Sequence, residues 1–171
     1  MATRPTEMGR TAIYSSGASI SPAANATDVF TLSGSSLRLV RVTRVRISAF
    51  ATSASQTIVY LYKRSSANSR GTSANPLVVK HDPADLSPTA VVTSYTSNPT
   101  SLGTEVGVLR ATYLPFFTAA SPGLSVISMD FGENEPVILN GIGDVLAVGF
   151  NAGTIPAGAA IAVSITWGED V

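Results

Sequence analysis

The chain contains no cysteine and a single histidine, His81, and only 13% of its 171 residues are charged. The lack of cysteine excludes a thiol nucleophile, a disulfide framework and cysteine-based zinc sites. General acid–base catalysis needs titratable side chains that converge on one site, and this chain offers few of them. We therefore predict that the protein is not an enzyme, uses no cofactor and has a structural or binding role.

Long apolar segments are also lacking. No run approaches the about 18 apolar residues of a membrane-spanning helix, and no charged leader precedes a short apolar stretch at the N-terminus. We therefore expect neither a membrane partner nor a secretory signal. Hydrophobic residues still make up 44% of the chain, and a chain of this length hides roughly 70% of its unfolded surface. One domain is expected, with a core that requires no metal or disulfide.

Charge is distributed unevenly although the net charge is zero. Residues 1–80 carry ten basic and two acidic side chains, whereas residues 81–171 carry one basic and nine acidic side chains. Two surfaces of opposite sign would attract other copies or a charged partner. The favoured alternative is that strands of both halves interleave in one sheet, so that the charges mix.

The residues that are abundant, Ser, Thr, Val, Ile, Ala and Gly, are typical of β-strands and turns, and no segment has a helical apolar period. Residues 1–10, interrupted by Pro5 and Gly9, are predicted to form an N-terminal arm. Residues 11–171 are predicted to form a single antiparallel β-sandwich that resembles a jelly roll. Its strands are expected near 11–15, 28–32, 37–50, 56–63, 88–95, 106–114, 124–131, 136–139, 144–150 and 160–167.

The last of these strands has the clearest alternation. Ile161, Val163, Ile165 and Trp167 share one face, which predicts that Trp167 packs in the core. The basic strand at 37–50 is irregular, because Leu37, Leu39, Val40, Val42, Val45 and Ile47 do not share one parity. Two β-bulges, near 39–41 and 43–45, would turn all six inward, and a turn within the segment is the rival interpretation. Either way, Arg38, Arg44 and Arg46 are expected to face solvent or a partner.

Residues 64–105 form a long segment rich in Ser, Thr, Asn, Ala and Pro, which we call the excursion. Loops of this length are uncommon in a compact domain unless they are functional or contact another chain. Because the excursion carries little charge, it is unlike a solvated linker. We expect it to be ordered by contact with neighbouring chains, and we include its Arg64 and Arg70 among the candidate partner-binding residues.

Several short motifs have alternative interpretations. His81-Asp82 resembles the base and orienting acid of a hydrolase, but no nucleophile elbow occurs, and Asp82-Pro83 favours a turn. Asp130, Glu133 and Glu135 are oxygen ligands that suit a hard cation, but their spacing fits no EF-hand loop and favours a hairpin turn. The arginines of the basic strand have few aromatic neighbours in a neutral chain, which makes nucleic acid an improbable partner.

Residues 63–73, 81–83, 95–100 and 102–104 together resemble small virion proteins of tailed bacteriophages. The closing pattern at 136–141, 144–148 and 161–167 is similar to that of jelly-roll head and fibre proteins. The resemblance implies a virion structural protein on the capsid surface that decorates or cements the shell. Its partners would be the major capsid protein and other copies of itself, as a homotrimer. The alternative is a tail or fibre component that binds a host receptor or glycan. Hydrolytic enzymes and stand-alone lectins are the rival classes.

For partner binding the candidate residues are Arg38, Arg44, Arg46, Arg64 and Arg70. No catalytic, cofactor-binding or metal-binding residues are expected.

Overall fold

The computed structural model describes residues 11–120, 123, 126–132 and 134–170. The predicted arm at 1–10 therefore lies outside the described residues, as do positions 124 and 125 of one predicted strand. The strands are β1 (Thr11–Ile20), β2 (Asn25–Ser33), β3 (Val40–Phe50), β4 (Ser55–Arg64), β5 (Ser73–Ala74), β6 (Val78–Lys80), β7 (Val91–Tyr95), β8 (Glu105–Phe116), β9 (Val126–Asp130), β10 (Val137–Leu139), β11 (Val145–Thr154) and β12 (Ala160–Asp170).

The strands form two antiparallel sheets that pack face to face, which confirms the predicted all-β sandwich. Sheet A has the order β10-β3-β12-β1-β6, with β9 also paired to β3, and sheet B has the order β5-β7-β2-β11-β4-β8. The long strands pair in a nested way: β1 with β12, β2 with β11, β3 with β9, and β4 with β8. Strands distant in the sequence are therefore neighbours in both sheets.

The core lies between the sheets and is built by strand alternation. Ile161, Val163, Ile165 and Trp167 of β12 are all buried, and Trp167 is completely inaccessible to solvent. The Trp167 ring lies 5.8 Å from the Tyr14 ring of the neighbouring β1, centroid to centroid. Aromatic side chains of this size contribute much of the apolar area buried in a small domain. The predicted inward position of Trp167 is confirmed.

The basic strand differs from its prediction. β3 begins at Val40, so Leu37 lies in the preceding loop, where it is 79% exposed, and Leu39 is only half-buried. One irregularity in the pairing with β12 leaves Thr43 as the extra residue between Val42 and Arg44. A single bulge restores the inward parity of Val45 and Ile47. The predicted bulge near 43–45 is therefore confirmed, whereas the predicted bulge near 39–41 and the inward positions of Leu37 and Leu39 were wrong.

The excursion forms strand pairs and hydrogen bonds within its own chain, so its order does not require the neighbouring chains that were expected. It contributes β5, β6 and β7, of which β6 pairs with β1 and β7 with β2. Tyr14 donates a hydrogen bond to the carbonyl of Leu86 (2.8 Å), and Ser16 donates one to the carbonyl of Leu77 (2.9 Å). Small polar side chains suffice here because the backbone of the excursion finds its partners within the sandwich.

Interleaving of the two halves neutralises the uneven charge, as the favoured alternative predicted. Four ion pairs join a basic residue of the first half to a carboxylate of the second half: Arg38–Glu169, Arg41–Asp170, Arg44–Asp130 and Lys63–Asp144. The nested strand order causes this mixing, because β3 of the basic half lies between β9 and β12 of the acidic half.

Candidate binding surfaces

The outer face of sheet A is open along its central strand. The side chains of β12 that point away from the core are Ala160, Ala162, Ser164, Thr166 and the hydrogen of Gly168. Neighbouring β1 adds Ser15, Gly17 and Ser19 to the same face. Small side chains on two adjacent strands leave a depression in the sheet surface that longer residues of β3 border.

This depression, which we call the trough, runs along β12. Its largest part has a volume of about 950 Å³ and is lined by residues that include Thr11, Arg44, Asp130 and Asp170. A further part of about 360 Å³ lies beside Arg46, over Gly17 and Ser164. Clefts of this size suit an extended segment or a ligand better than an isolated ion.

Two arginines of the trough are neutralised by carboxylates. Arg41 Nη2 lies 3.0 Å from Asp170 Oδ2, and Arg44 donates a hydrogen bond to Asp130. Hydrogen bonds from Ser128 and Arg44 hold the pKa of Asp130 below its usual value, and the bond from Arg41 does the same for Asp170. Both pairs are about half exposed, so their contribution to stability is small.

Arg46 differs from these neighbours. It is exposed and forms no ion pair with any carboxylate of the described residues. The pairing of β3 with β9 and β12 places it between Ser128 and Ser164. Its charge nevertheless acts on the neighbouring Asp130 and adds, after Ser128 and Arg44, to the lowering of the pKa of that carboxyl. The ion pairs of Arg41 with Asp170 and of Arg44 with Asp130 leave this face with little net positive charge, which is unfavourable for binding nucleic acid.

The other three candidate arginines lie elsewhere. Arg38 reaches Glu169 and the carbonyl of Ser87 inside one end of the sandwich. Arg70 is exposed in the excursion, with a positive φ of 61°. Only Arg44 and Arg46 share a surface, so the five predicted residues do not form one site.

Arg64 is buried and is not available to a partner, which corrects its assignment as a contact residue. Its guanidinium donates two hydrogen bonds to Asp28, both 2.8 Å long, and one to the carbonyl of Gly103 (3.0 Å). Asn68 donates to the same carboxylate and accepts from the Gly103 N–H. This network fixes both ends of the excursion to the outside of sheet B.

A second buried carboxylate was missed by sequence reasoning. Glu169 is fully buried and accepts hydrogen bonds from the Trp167 indole, from the Thr89 N–H and hydroxyl, from the Ala90 N–H and from Arg38. Burial raises the pKa of Glu169, but these donors together bring it below the usual value. The alternation of β12 could have predicted this burial, because Glu169 lies two residues after Trp167 and its side chain is therefore on the same inward face.

One end of the sandwich exposes large aliphatic side chains. Leu37, Leu86 and Ile142 are 79%, 60% and 69% exposed, and each lies in a different loop. The loops are joined by hydrogen bonds, from Gly141 N–H to the Ser35 carbonyl (3.1 Å) and from Arg38 to the Ser87 carbonyl (3.2 Å). We call these three residues the apolar tip.

The charged residues that adjoin the apolar tip in the described sequence interact within the chain. The nearby Arg38 points inward to Glu169, and Asp144 pairs with Lys63. Interface cores are likewise depleted of charge and enriched in apolar side chains. An exposed apolar group of this kind is typical of a contact surface.

His81 has the structural environment expected of a polar histidine beside a turn. Its imidazole Nε2 lies 2.8 Å from the Ser15 hydroxyl, and its backbone N–H donates a hydrogen bond to the Ile13 carbonyl. Asp82 accepts a hydrogen bond from the Ala84 N–H, as a turn-forming aspartate does. The Ser15 hydroxyl also contacts Thr166 and lies on a regular strand, without the sharp elbow that presents a catalytic serine.

The carboxylates considered for a hard cation are those of Asp130, Glu133 and Glu135. Asp130 is bonded to Arg44 and Ser128, and Glu133 lies outside the described residues. Over the described ranges, no group of three His, Cys, Asp or Glu is placed to hold a metal ion. That part of the chain also has no helix long and apolar enough to cross a membrane.

Comparison with known proteins does not assign the chain to a family. No family model, no curated protein and no solved structure matches the chain.

Proposed function

We propose that the protein is a structural component of a bacteriophage virion that decorates or cements the capsid shell through contacts with the major capsid protein. The observation that carries the proposal is the apolar tip. Leu37, Leu86 and Ile142 are held on three hydrogen-bonded loops and are among the most exposed large hydrophobic residues that the structure describes. Burial of an exposed apolar side chain by a partner surface contributes favourable free energy to binding.

The tip is suited to a protein surface in particular. The three residues that define it are aliphatic, and the charged neighbours Arg38 and Asp144 are paired within the chain, so the described part of the tip offers neither a free charge for a polyanion nor an aromatic ring for a sugar. One tip offers only a small contact area. Many copies on a symmetric shell would nevertheless bind firmly, because linked weak contacts raise the overall affinity.

The wrapping of the chain gives further support. The nested pairs β1–β12, β2–β11, β3–β9 and β4–β8 support the jelly-roll topology that we propose, in which one long hairpin is rolled up. Jelly rolls are common in viral capsid proteins and also in lectins. This support is an analogy of fold, and the assignment to a shell rests on the tip.

The test is co-sedimentation of the purified protein with shells of the major capsid protein that lack it. Leu37→Ser and Ile142→Ser should each reduce the bound fraction, and the double variant should abolish binding. Tyr113→Ser is the matched control, because Tyr113 is 62% exposed on the distant edge strand β8. Equal binding by the control and the tip variants would contradict the proposal.

Antibody labelling of intact virions distinguishes the alternative function. Label over the whole head agrees with decoration of the capsid. Label confined to the tail tip would instead favour the tail or fibre component that binds a host receptor or glycan.

A further inference from the structure

Sheet B ends in a long edge strand, β8. It has 12 residues and pairs with β4 on one side, and no described strand pairs with its other side. The other edge strands of the described sheets, β5, β6, β9 and β10, have between two and five residues. The free side of an edge strand carries unpaired N–H and C=O groups that can pair with another chain. Of the described edges, β8 therefore offers the longest template for an added strand.

Bulges and a proline leave one regular stretch of this edge. The register shifts against β4 make Val106 and Leu109 extra residues, and Pro115 lies near the end of the strand. Bulges and prolines oppose pairing at sheet edges. Residues 110–114 lie between them and pair with β4 without any shift. We call these five residues the free edge.

The outer face of the free edge carries a large and a small side chain. Tyr113 pairs with Ile58 of β4 and Ala111 pairs with Tyr60, whereas the adjacent Leu114 points into the core and is completely buried. Tyr113 is 62% exposed, and Ala111 is also exposed. A ring and a methyl group therefore lie two positions apart on one face, on either side of the central residue of the free edge.

We propose that the free edge pairs antiparallel with the free edge of a second copy of the chain, about a two-fold axis at Thr112. In this register Tyr113 of each copy lies opposite Ala111 of the other, so that each large side chain meets a small one. Thr112 lies opposite its own counterpart, and such threonine pairs are favourable between strands. The contact is the same on both copies, as a two-fold interface requires.

Charge and backbone chemistry support this register. An axis at Arg110 would place two guanidinium groups opposite each other, whereas the axis at Thr112 keeps them about four residues apart along the edge. An axis at Tyr113 would place Ala111 opposite Pro115, which has no N–H to donate. Arg110 is the one charged residue of the free edge, and its guanidinium lies over the Phe131 ring, 5.6 Å from the centroid.

The size of the contact predicts a weak dimer. Five residues a side bury less than the about 800 Å² per partner of a standard interface, so association should be reversible and visible only in concentrated protein. Shell binding is measured in dilute protein, where the chain is monomeric and Tyr113→Ser remains a valid control. The dimer does not depend on the proposed function, and either proposal can fail alone.

Sedimentation equilibrium provides the first test, on the full chain from about 10 µM to 1 mM, where monomer and dimer are expected. Tyr113→Lys removes the ring and places a charge on the edge, which should raise the dissociation constant by about tenfold or more. Val106→Lys is the matched control. Val106 is also 62% exposed on β8 but lies beyond the bulge at Leu109, so this variant should associate as the unchanged protein does.

Disulfide formation provides the second test, because the chain has no cysteine of its own. Directly opposite residues of two antiparallel strands have Cβ atoms about 4.5–5.5 Å apart, which is close to the separation that a disulfide needs. Thr112→Cys should therefore form a covalent dimer with oxidised glutathione. Val106→Cys should form far less, although position 106 is the more exposed, because its counterpart lies far along the edge.

Each experiment can overturn the proposal. A chain that stays monomeric up to about 1 mM, or that forms a trimer instead of a dimer, has no two-fold contact of this kind. Equal dissociation constants for Tyr113→Lys and Val106→Lys would remove the free edge from the interface. Disulfide dimers that form as readily from Val106→Cys as from Thr112→Cys would refute the register.

Discussion

Replacing Glu169 with glutamine tests whether this buried carboxylate fastens the excursion to the sandwich. Glutamine has nearly the same shape but is neutral, and it replaces one acceptor oxygen with an NH₂ group. The Oε1 atom accepts from the Ala90 N–H (3.0 Å) and the Trp167 indole (3.1 Å), so the amide oxygen must remain on that side. The NH₂ group then faces Arg38, which had donated to Oε2.

The expected loss follows from these contacts. Arg38 has a side chain only 15% exposed, so it loses a charge-assisted hydrogen bond with little water to replace it. A bond of that kind contributes about 1.5–3 kcal/mol, and the remaining donors to residue 169 are weakened when the charge is removed. We expect the free energy of unfolding to fall by about 3 kcal/mol, which lowers Tm by roughly 6–12 °C for a chain of this size.

The only tryptophan, Trp167, donates to Glu169, so its fluorescence in urea or on heating follows unfolding and reports this site directly. Asp170→Asn is the control, because Asp170 is the next residue of β12 and its pair with Arg41 is about 40% exposed on each side. Exposed pairs contribute about 0–1 kcal/mol. If Glu169→Gln cost no more than Asp170→Asn, the assignment of Glu169 as a structural anchor would be refuted.

The same variant predicts a dependence on pH. The pKa of Glu169 is lower in the folded protein than in the unfolded chain, whose glutamates titrate near about 4.3. The stabilisation by the carboxylate is therefore complete above that pH and is lost as the pH falls through the lower, folded pKa. The stability difference between the protein and Glu169→Gln should narrow in acid, and a difference that stays constant to low pH would contradict the linkage.

Three further predictions concern the core, the second buried network and His81. Trp167→Ala removes the largest buried side chain and should lower the free energy of unfolding by about 3–5 kcal/mol, measured by circular dichroism in denaturant; an unchanged transition would contradict its central packing. Arg64→Met leaves the Asp28 carboxylate buried without its cation and should cost about 3–5 kcal/mol, whereas Arg70→Met at an exposed site should change stability by less than about 0.5 kcal/mol. Screens against ester and glycan substrates should detect no turnover that His81→Ala abolishes, and finding one would overturn a purely structural role.

The positions of the long strands could be predicted because their signal is local, whereas the short strands β5 and β6 of the excursion were not among the predicted strands. Alternation in residues 160–167 is visible without any partner strand, and the same holds for the apolar run that became β11. The bulge of β3 was harder to predict. The sequence shows that the apolar alternation shifts by one residue near Thr43, but the cause of the shift is the pairing register with β12. Exposed Leu37 was assigned to the core because apolar character alone does not distinguish a strand residue from a contact surface.

The partners of the excursion could not be predicted from the sequence. Asp28 and Arg64 are 36 residues apart, and Glu169 and Thr89 are 80 apart. Nothing in the local pattern marks these pairs, since serine, threonine and asparagine satisfy backbone groups wherever the chain passes. The excursion was therefore expected to need another chain, although the two buried carboxylates of the sandwich already supplied its anchors.

The ion pairs formed in the fold explain why the sequence alone did not show which candidate arginines are available to a partner. The nested strand order brings the basic first half against the acidic second half, so Arg38, Arg41 and Arg44 are neutralised within the chain. A basic cluster in the sequence is therefore a poor predictor of a binding surface. Strands of the acidic half lie beside the basic strand, and their carboxylates form ion pairs with its arginines. Among the arginines of β3, Arg46 has no ion pair with a described carboxylate because β9 and β12 each place a serine opposite it, although its charge still acts on Asp130. The fold therefore shows the availability of each arginine, which the number of arginines in the strand does not.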